Sequence, residues 1–271
     1  MRIGVAATAP LGADVLERLA DRHDVAILLT RPDRPQGRGR RVGAPPAKEV
    51  ADRLGIEVRQ PEKLDESVEL GDVEAMVVAA YGALIPESLL EQTLWLNVHP
   101  SLLPRWRGAA PVERAIMAGD TETGVTIHRT IAELDAGPIS AQTSFPIEPD
   151  DDAGAVYAKA GPLAVDLLEP ALQGTASFEP QPEEGATYAE RLTPADRELD
   201  WTQPAAESLN RIRALSPHIG ARGVVDGHPL IVWRARPGEG ELSAGGLELL
   251  EVQPEGRKRM SAADYVRGLR S

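Results

Sequence analysis

The first 145 residues alternate between two kinds of apolar pattern, and few folds accept both. Ile3–Ala7, Val25–Leu29, Ala75–Ala80 and Leu94–Val98 are short runs, apolar or small throughout, that read as strands buried on both faces. Gly124–Ile131 reads as a further strand. Helical spacing fills the gaps between runs. Leu11, Val15, Leu16 and Leu19 share one helix face, and Ala44–Leu54 reads as a helix opened by Pro45-Pro46. Strands buried on two faces need helices on both sides, so the pattern predicts an α/β, Rossmann-like, mainly parallel sheet. Such sheets bind ligands outside the carboxyl ends of their strands.

The pattern changes after residue 150. Residues 152–173 read as one longer helical stretch with Val156, Ala160, Leu163 and Leu167 on a stripe, and Pro162 is expected to kink or split it. Gln173 to Ala186 is rich in Gly, Pro, Glu, Ser and Thr and reads as a linker. Beyond it, a short helix at Ala205–Leu215 precedes strands at Ala221–Val225, Pro229–Trp233 and Leu247–Val252, with Asp226-Gly227 as a hairpin signal. The expected organisation is a catalytic domain over 1–174, a linker over 175–187 and a small β-rich, barrel-like domain over 188–271.

Composition excludes several classes. The 271 residues contain no cysteine, which removes disulfides, thiolate metal sites and cysteine nucleophiles. The formal charge is −13, so any nucleic-acid contact must be a local basic patch. With Phe 2, Trp 4 and Tyr 4, an aromatic platform for single strands is not expected. Met1-Arg2-Ile3-Gly4-Val5 reads as a strand and not a leader, and no apolar run nears membrane length; a soluble, cytoplasmic protein is expected. The loop after the first strand lacks the spacing of a dinucleotide fingerprint. There is no Walker loop and no paired-histidine zinc motif, so no metal is expected.

One cluster carries chemistry. Asn97-Val98-His99-Pro100 closes the fourth strand, where residues two apart share a face. Asn97 and His99 therefore project together at the edge where such sheets place their sites. Asp135, in Leu134-Asp135-Ala136-Gly137-Pro138, follows the next strand. An amide donor suits a developing oxyanion, an imidazole moves protons, and a carboxylate orients the imidazole. The set fits acyl transfer without a covalent intermediate. By spacing alone it says only α/β enzyme, because a lone strand-end His and a turn Asp are ordinary structural residues.

The stretch Asn97-Val-His-Pro-Ser-Leu-Leu-Pro-Arg-Trp-Arg-Gly-Ala-Ala-Pro111 resembles the signature of the folate-dependent formyltransferases. Thr30–Arg41, Arg107–Ile127 and Val252–Asp264 are similar to the branch of that family that acts on methionyl-tRNA, Val77–Pro86 matches the family's folate-side loop, and the likeness runs over nearly the whole chain. The resemblance implies formyl transfer from 10-formyltetrahydrofolate to the free α-amino group of initiator methionyl-tRNA, by a monomer that needs no metal. It implies Asn97, His99 and Asp135 as the catalytic set, and Ser101, Leu102, Leu103, Pro104, Tyr81 and Gly82 on the folate side. It also implies an OB-like barrel for the second domain.

Arg34, Arg38, Arg40, Arg41, Arg257, Lys258 and Arg259 are the expected tRNA contacts. Residues 31–41 hold five arginines against one aspartate, a local surplus that offsets the acidic whole within a Debye length. A sugar-nucleotide N-formyltransferase using the same donor is the alternative; it shares the Asn-His-Asp set without needing the basic loop. Three departures from the family pattern stand out. Ala7-Thr8-Ala9-Pro10 replaces the usual Gly-Thr-Pro. The chain between Trp233 and Leu247 is short by about a hairpin, so the barrel is expected to be shortened. His128 occupies a position that is more often apolar, and is expected to face a neighbouring helix in a structural role.

Overall fold

The computed structural model describes residues 1–36 and 41–270. It divides into two compact units. The first holds Met1–Ala109, Gly124–Ser144 and Ala158–Tyr188; the second holds Ala110–Thr123, Phe145–Tyr157 and Ala189–Ser271.

The first unit is built on a seven-stranded sheet. Its strands are β1 (Arg2–Ala7), β2 (Asp24–Leu29), β5 (Glu57–Arg59), β6 (Ala75–Ala79), β7 (Leu94–His99), β9 (Glu122–Arg129) and β10 (Ile139–Pro146), in the order β10-β9-β7-β6-β1-β2-β5. A hairpin of β3 (Arg34–Gln36) and β4 (Arg41–Gly43) and a pair of β8 (Arg107–Gly108) and β11 (Tyr188–Ala189) stand apart from it. β1 pairs in parallel with β2 and β6, β2 with β5, and β6 with β7; β9 runs antiparallel to β7. The mainly parallel sheet read from the sequence is present. The strand order reverses at β1, between β2 and β6, the kind of switch point at whose carboxyl edge such sheets bind ligands.

The apolar strand runs are the core. Ile3, Val5, Leu28, Leu29, Met76, Val77 and Leu96 are fully or almost fully buried. Helix α1 (Pro10–Ala20) buries Leu11, Val15, Leu16 and Leu19, the face its spacing predicts. Helix α2 (Pro46–Leu54) starts after Pro45 and ends at Gly55, whose φ of 70° is the left-handed cap glycine adopts without penalty. The short α3 (Glu87–Leu90) precedes β7, and α4 (Pro111–Met117) belongs to the second unit.

Helix α5 corrects the expected split and the expected stripe. It runs unbroken from Ala153 to Leu172 with Pro162 and Pro170 inside it. Its buried stripe is Val156, Ala160, Ala164 and Leu168, with Leu163 and Leu167 only partly buried. Burial of that i, i+4 stripe offsets the hydrogen bond that each proline removes.

The second unit carries an antiparallel sheet of β12 (Ala221–Val225), β13 (His228–Pro237), β14 (Ser243–Ala244), β15 (Leu247–Pro254) and β16 (Met260–Ser261). Asp226 and Gly227 join β12 to β13 with φ of 50° and 79°, the double positive φ of a tight hairpin turn. Between β13 and β15 the sheet gains only the two-residue β14, in keeping with a shortened domain. Helices α6 (Ala205–Leu215) and α7 (Ala262–Arg270) contribute Ile212, Leu215, Tyr265 and Val266 to its core, against Val232, Leu249 and Val252.

Gly12 sets how closely α1 approaches the ends of β1 and β6. A Cβ there would lie 2.3 Å from the Ala79 carbonyl oxygen and 2.7 Å from Ala7 Cβ. Both neighbours are rigid, so Gly12→Ala is expected to cost about 1–3 kcal/mol through overpacking. Urea unfolding is expected to show a lower midpoint than the parent; an unchanged midpoint would show that α1 does not rest on the β1 and β6 ends.

Candidate active site

The end of β7 supplies the first two groups. Asn97 and His99 are two apart on this strand and share a face, as its alternation requires. Asp135 comes from the β9–β10 connection, with a φ of 50° that an aspartate tolerates better than most side chains. Its carboxylate reaches back to both β7 residues. Asn97 Nδ2 donates to Asp135 Oδ1 at 3.0 Å, and His99 Nδ1 lies 3.6 Å from Asp135 Oδ2. The Gly108 amide donates to Oδ2 at 2.8 Å.

His99 is anchored from its other side. Its Nε2 lies 2.8 Å from the Trp106 carbonyl oxygen. A carbonyl only accepts, so Nε2 carries the proton and Nδ1 presents a lone pair beside the carboxylate. Trp106 has a φ of 66°, a strained value for a bulky residue that accompanies this inward-turned carbonyl. Burial pushes the His99 pKa down; the Asp135 charge opposes this without reversing it. The imidazole is therefore neutral near pH 7. Burial also pushes the Asp135 pKa up, but the charge interactions with His99 and His128 and the Gly108 N–H outweigh it, and the pKa falls to about 2. The carboxylate stays ionised across the physiological range.

His128 is a member of this cluster, contrary to the expectation that it faces a helix. In the β7–β9 register it stands directly opposite Asn97. Opposed residues of an antiparallel pair project to the same face, which brings the ring to the site. Its Nε2 lies 3.0 Å from Asn97 Nδ2 and 3.6 Å from Asp135 Oδ1, and the residue is 1% exposed. Two imidazoles and a carboxylate meet here, yet no group of three such side chains is arranged to hold a metal ion among the described residues.

A second set of side chains braces the site from outside β7. Gln181 Nε2 donates to the Asp135 and Gly137 carbonyl oxygens at 2.8 and 2.7 Å, and its Oε1 accepts from buried Arg107 Nε at 3.1 Å. Gln181 lies in the segment whose composition reads as a linker; nothing in that composition points to a bracing role. The Ser101–Pro104 turn is clamped as well. Thr126 Oγ1 donates to the Ser101 carbonyl oxygen at 2.7 Å and accepts from Leu103 N, while Gln142 Nε2 donates to the Leu103 carbonyl oxygen at 3.0 Å. Leu102 and Pro104 are half-buried beside it.

Tyr81 and Gly82 follow β6, the neighbour of β7. Thr8 Oγ1 donates to the Tyr81 carbonyl oxygen at 2.9 Å, and Gly82 has a φ of 78°. Burial raises the Tyr81 hydroxyl to about 12. The basic residues divide differently. Arg34 is exposed on β3, and Lys48 Nζ to Asp33 Oδ2 at 2.8 Å with Gln60 Nε2 to Asp33 Oδ1 at 2.7 Å pins the base of that hairpin. Arg41 opens β4, while Arg38 and Arg40 lie outside the described residues. In the second unit Arg257 and Lys258 are exposed, whereas Arg259 pairs with Glu251 at 2.5 Å and stacks on Trp233 at 4.6 Å.

Known proteins share this fold. The crystal structure of HypX from Aquifex aeolicus in complex with tetrahydrofolic acid aligns with a TM-score of 0.69 at 16% identity, over 98% of this chain and 46% of that one. The methionyl-tRNA formyltransferase from Clostridium thermocellum aligns with a TM-score of 0.67 at 16% identity, over 92% of this chain and 99% of that one. At the level of sequence the likeness is closer. Residues 1–171 match the formyl transferase domain and residues 191–246 its C-terminal domain. The methionyl-tRNA formyltransferase of Paracoccus denitrificans is 37% identical over 99% of this chain and 98% of its own length. That of Chromobacterium violaceum is 40% identical over 99% of this chain and 96% of its own length. Near-complete coverage at such identity settles the family: the chain belongs to the formyl transferases, among the methionyl-tRNA formyltransferases.

Proposed function

We propose that this protein transfers the formyl group of 10-formyltetrahydrofolate to the free α-amino group of initiator methionyl-tRNA. The observation that carries the reading is one carboxylate, Asp135, shared between an amide and an imidazole at the carboxyl edge of a parallel sheet, in a chain of this family. In the reaction the amine nitrogen bonds to the formyl carbon and the bond from that carbon to the folate nitrogen breaks. The proton lost by the amine ends on the folate nitrogen.

Asn97, His99 and Asp135 divide the work. Attack drives negative charge onto the formyl oxygen, and Asn97 Nδ2 is the donor that meets it. One Asn97 N–H belongs to the ionised Asp135. The other meets His128 Nε2, a weaker acceptor than a carboxylate, and is the one the oxyanion takes. His99 has its Nε2 proton committed to Trp106, so Nδ1 is the atom that receives the proton from the amine. The imidazolium formed then lies beside a carboxylate that stabilises it, before the proton passes to the leaving nitrogen. The clamped Ser101–Pro104 turn and the Tyr81-Gly82 loop flank the end of β7, which fits them to hold the folate substrate. Exposed Arg34, Arg257 and Lys258, with Arg38, Arg40 and Arg41, supply phosphate contacts to the tRNA. Arg259 contributes less because its charge is spent on Glu251. No helix among the described residues is long and apolar enough to cross a membrane. From the family resemblance we assign the protein to the cytoplasm as a monomer.

The reading is tested by incubation with 10-formyltetrahydrofolate and charged initiator tRNA, an amino sugar nucleotide, or no acceptor. Formylated methionyl-tRNA is the expected product; formylated sugar, or formate released without acceptor, would overturn the reading. In the same assay Asn97→Ala is expected to lower kcat by roughly a hundredfold or more with the thermal midpoint retained. Turnover near the parent value would remove Asn97 from the mechanism. For the basic loop, Arg38→Ala with Arg40→Ala is expected to weaken tRNA binding and flatten the plot of log K against log salt by roughly one to two units of slope, leaving folate affinity unchanged. An unaltered slope would exclude this loop from the RNA contact.

A further inference from the structure

The Asn97 carboxamide has two orientations of nearly the same shape, related by exchange of its oxygen and nitrogen. Its neighbours choose between them. Asp135, an ionised acceptor, lies 3.0 Å from Nδ2 through Oδ1. His128 lies 3.0 Å from the same nitrogen through Nε2. His128 Nδ1 is 3.0 Å from the Arg129 carbonyl oxygen, and because a carbonyl only accepts, Nδ1 carries a proton. Asp135 fixes Nδ2 of Asn97 as a donor, so the Nε2 that faces it offers a lone pair. Turned over, the carboxamide would set its oxygen against two acceptors at once. The ring has little freedom to avoid this: it is almost fully buried, and a Cβ on Gly137 would sit 3.3 Å from its Nδ1. The ionisable groups around it are Asp135, and His99 at 6.3 Å between ring centroids.

We propose that His128 is a positioning residue for formyl transfer. As the Nδ1–H tautomer it accepts the second Asn97 N–H in the unliganded site, and with Asp135 it keeps the donor face of that amide presented until the oxyanion takes its place. The register of β9 against β7 makes this possible, since it puts the imidazole directly across from the amide. The proposal rests on the functional reading above and adds to it a role for a side chain outside the expected catalytic set.

The full chain and the variants His128→Leu and His128→Gln test it. Leucine removes the acceptor and fills the space; glutamine restores an acceptor through Oε1. His128→Leu is expected to lower kcat roughly five- to tenfold, the loss of one neutral hydrogen bond, with KM for folate and for methionyl-tRNA unchanged. His128→Gln is expected to stay within about twofold of the parent. Independently of turnover, 15N spectra of the parent are expected to show a protonated Nδ1 and an unprotonated Nε2 on His128 at neutral pH. Parent-like kcat in His128→Leu, no rescue by glutamine, or a proton on Nε2 would each overturn the proposal. If the parent itself transfers no formyl group, the functional reading fails instead, and the tautomer still decides whether His128 holds the amide.

Discussion

A single carboxylate organises the reactive edge of this protein. Asp135 accepts from the Asn97 amide with one oxygen, and with the other it accepts from the Gly108 N–H and faces the His99 ring. A charge with so little solvent around it persists only when its lone pairs are occupied. Here each oxygen accepts one N–H, and the carboxylate in turn fixes the groups that supply them. Asp135 is held by its own backbone: Gln181 binds its carbonyl oxygen and that of Gly137, and Arg107 holds Gln181. Residues distant in sequence thus converge to keep one side chain ionised and still.

That arrangement depends on the sheet. Parallel pairing of β1, β6 and β7 brings their carboxyl ends to a common edge, and the antiparallel return of β9 lays His128 and Thr126 opposite Asn97 and His99. The face that carries the amide and imidazole on one strand therefore carries an imidazole and a hydroxyl on the next. Thr126 uses its hydroxyl to clamp the Ser101–Leu103 backbone, and His128 uses its ring to hold Asn97. One register decides both, and a slip of one residue would turn both away.

Five of the seven strands, β1, β2, β6, β7 and β9, and the α1 face were legible because apolar runs and 3.6-residue spacing report burial directly; β5 and β10, which lack a buried run, were not. The pairing of Asn97 with His99 was legible too, since it needs only the alternation of a strand. His128 was misread because its meaning lies in register across two strands, which periodicity along one chain does not encode. Gln181 was hidden for a related reason: a segment rich in Gly, Pro and Glu looks like a linker whether or not one of its side chains is bonded to a neighbour. Pro162 misled in the opposite sense. The local rule predicts a kinked or split helix; the helix is not split, and Ala160, Ala164 and Leu168 are buried along it.

The claim that Asp135 gathers the site is tested most directly by following its carboxyl carbon by 13C NMR through an acid titration, with the Asn97 side-chain amide and the Gly108 backbone amide observed in the same samples. The account predicts a midpoint at about 2, with both amide signals moving in step with the carboxyl signal. A midpoint at the ordinary aspartate value of about 3.9, or amides that ignore the titration, would contradict it.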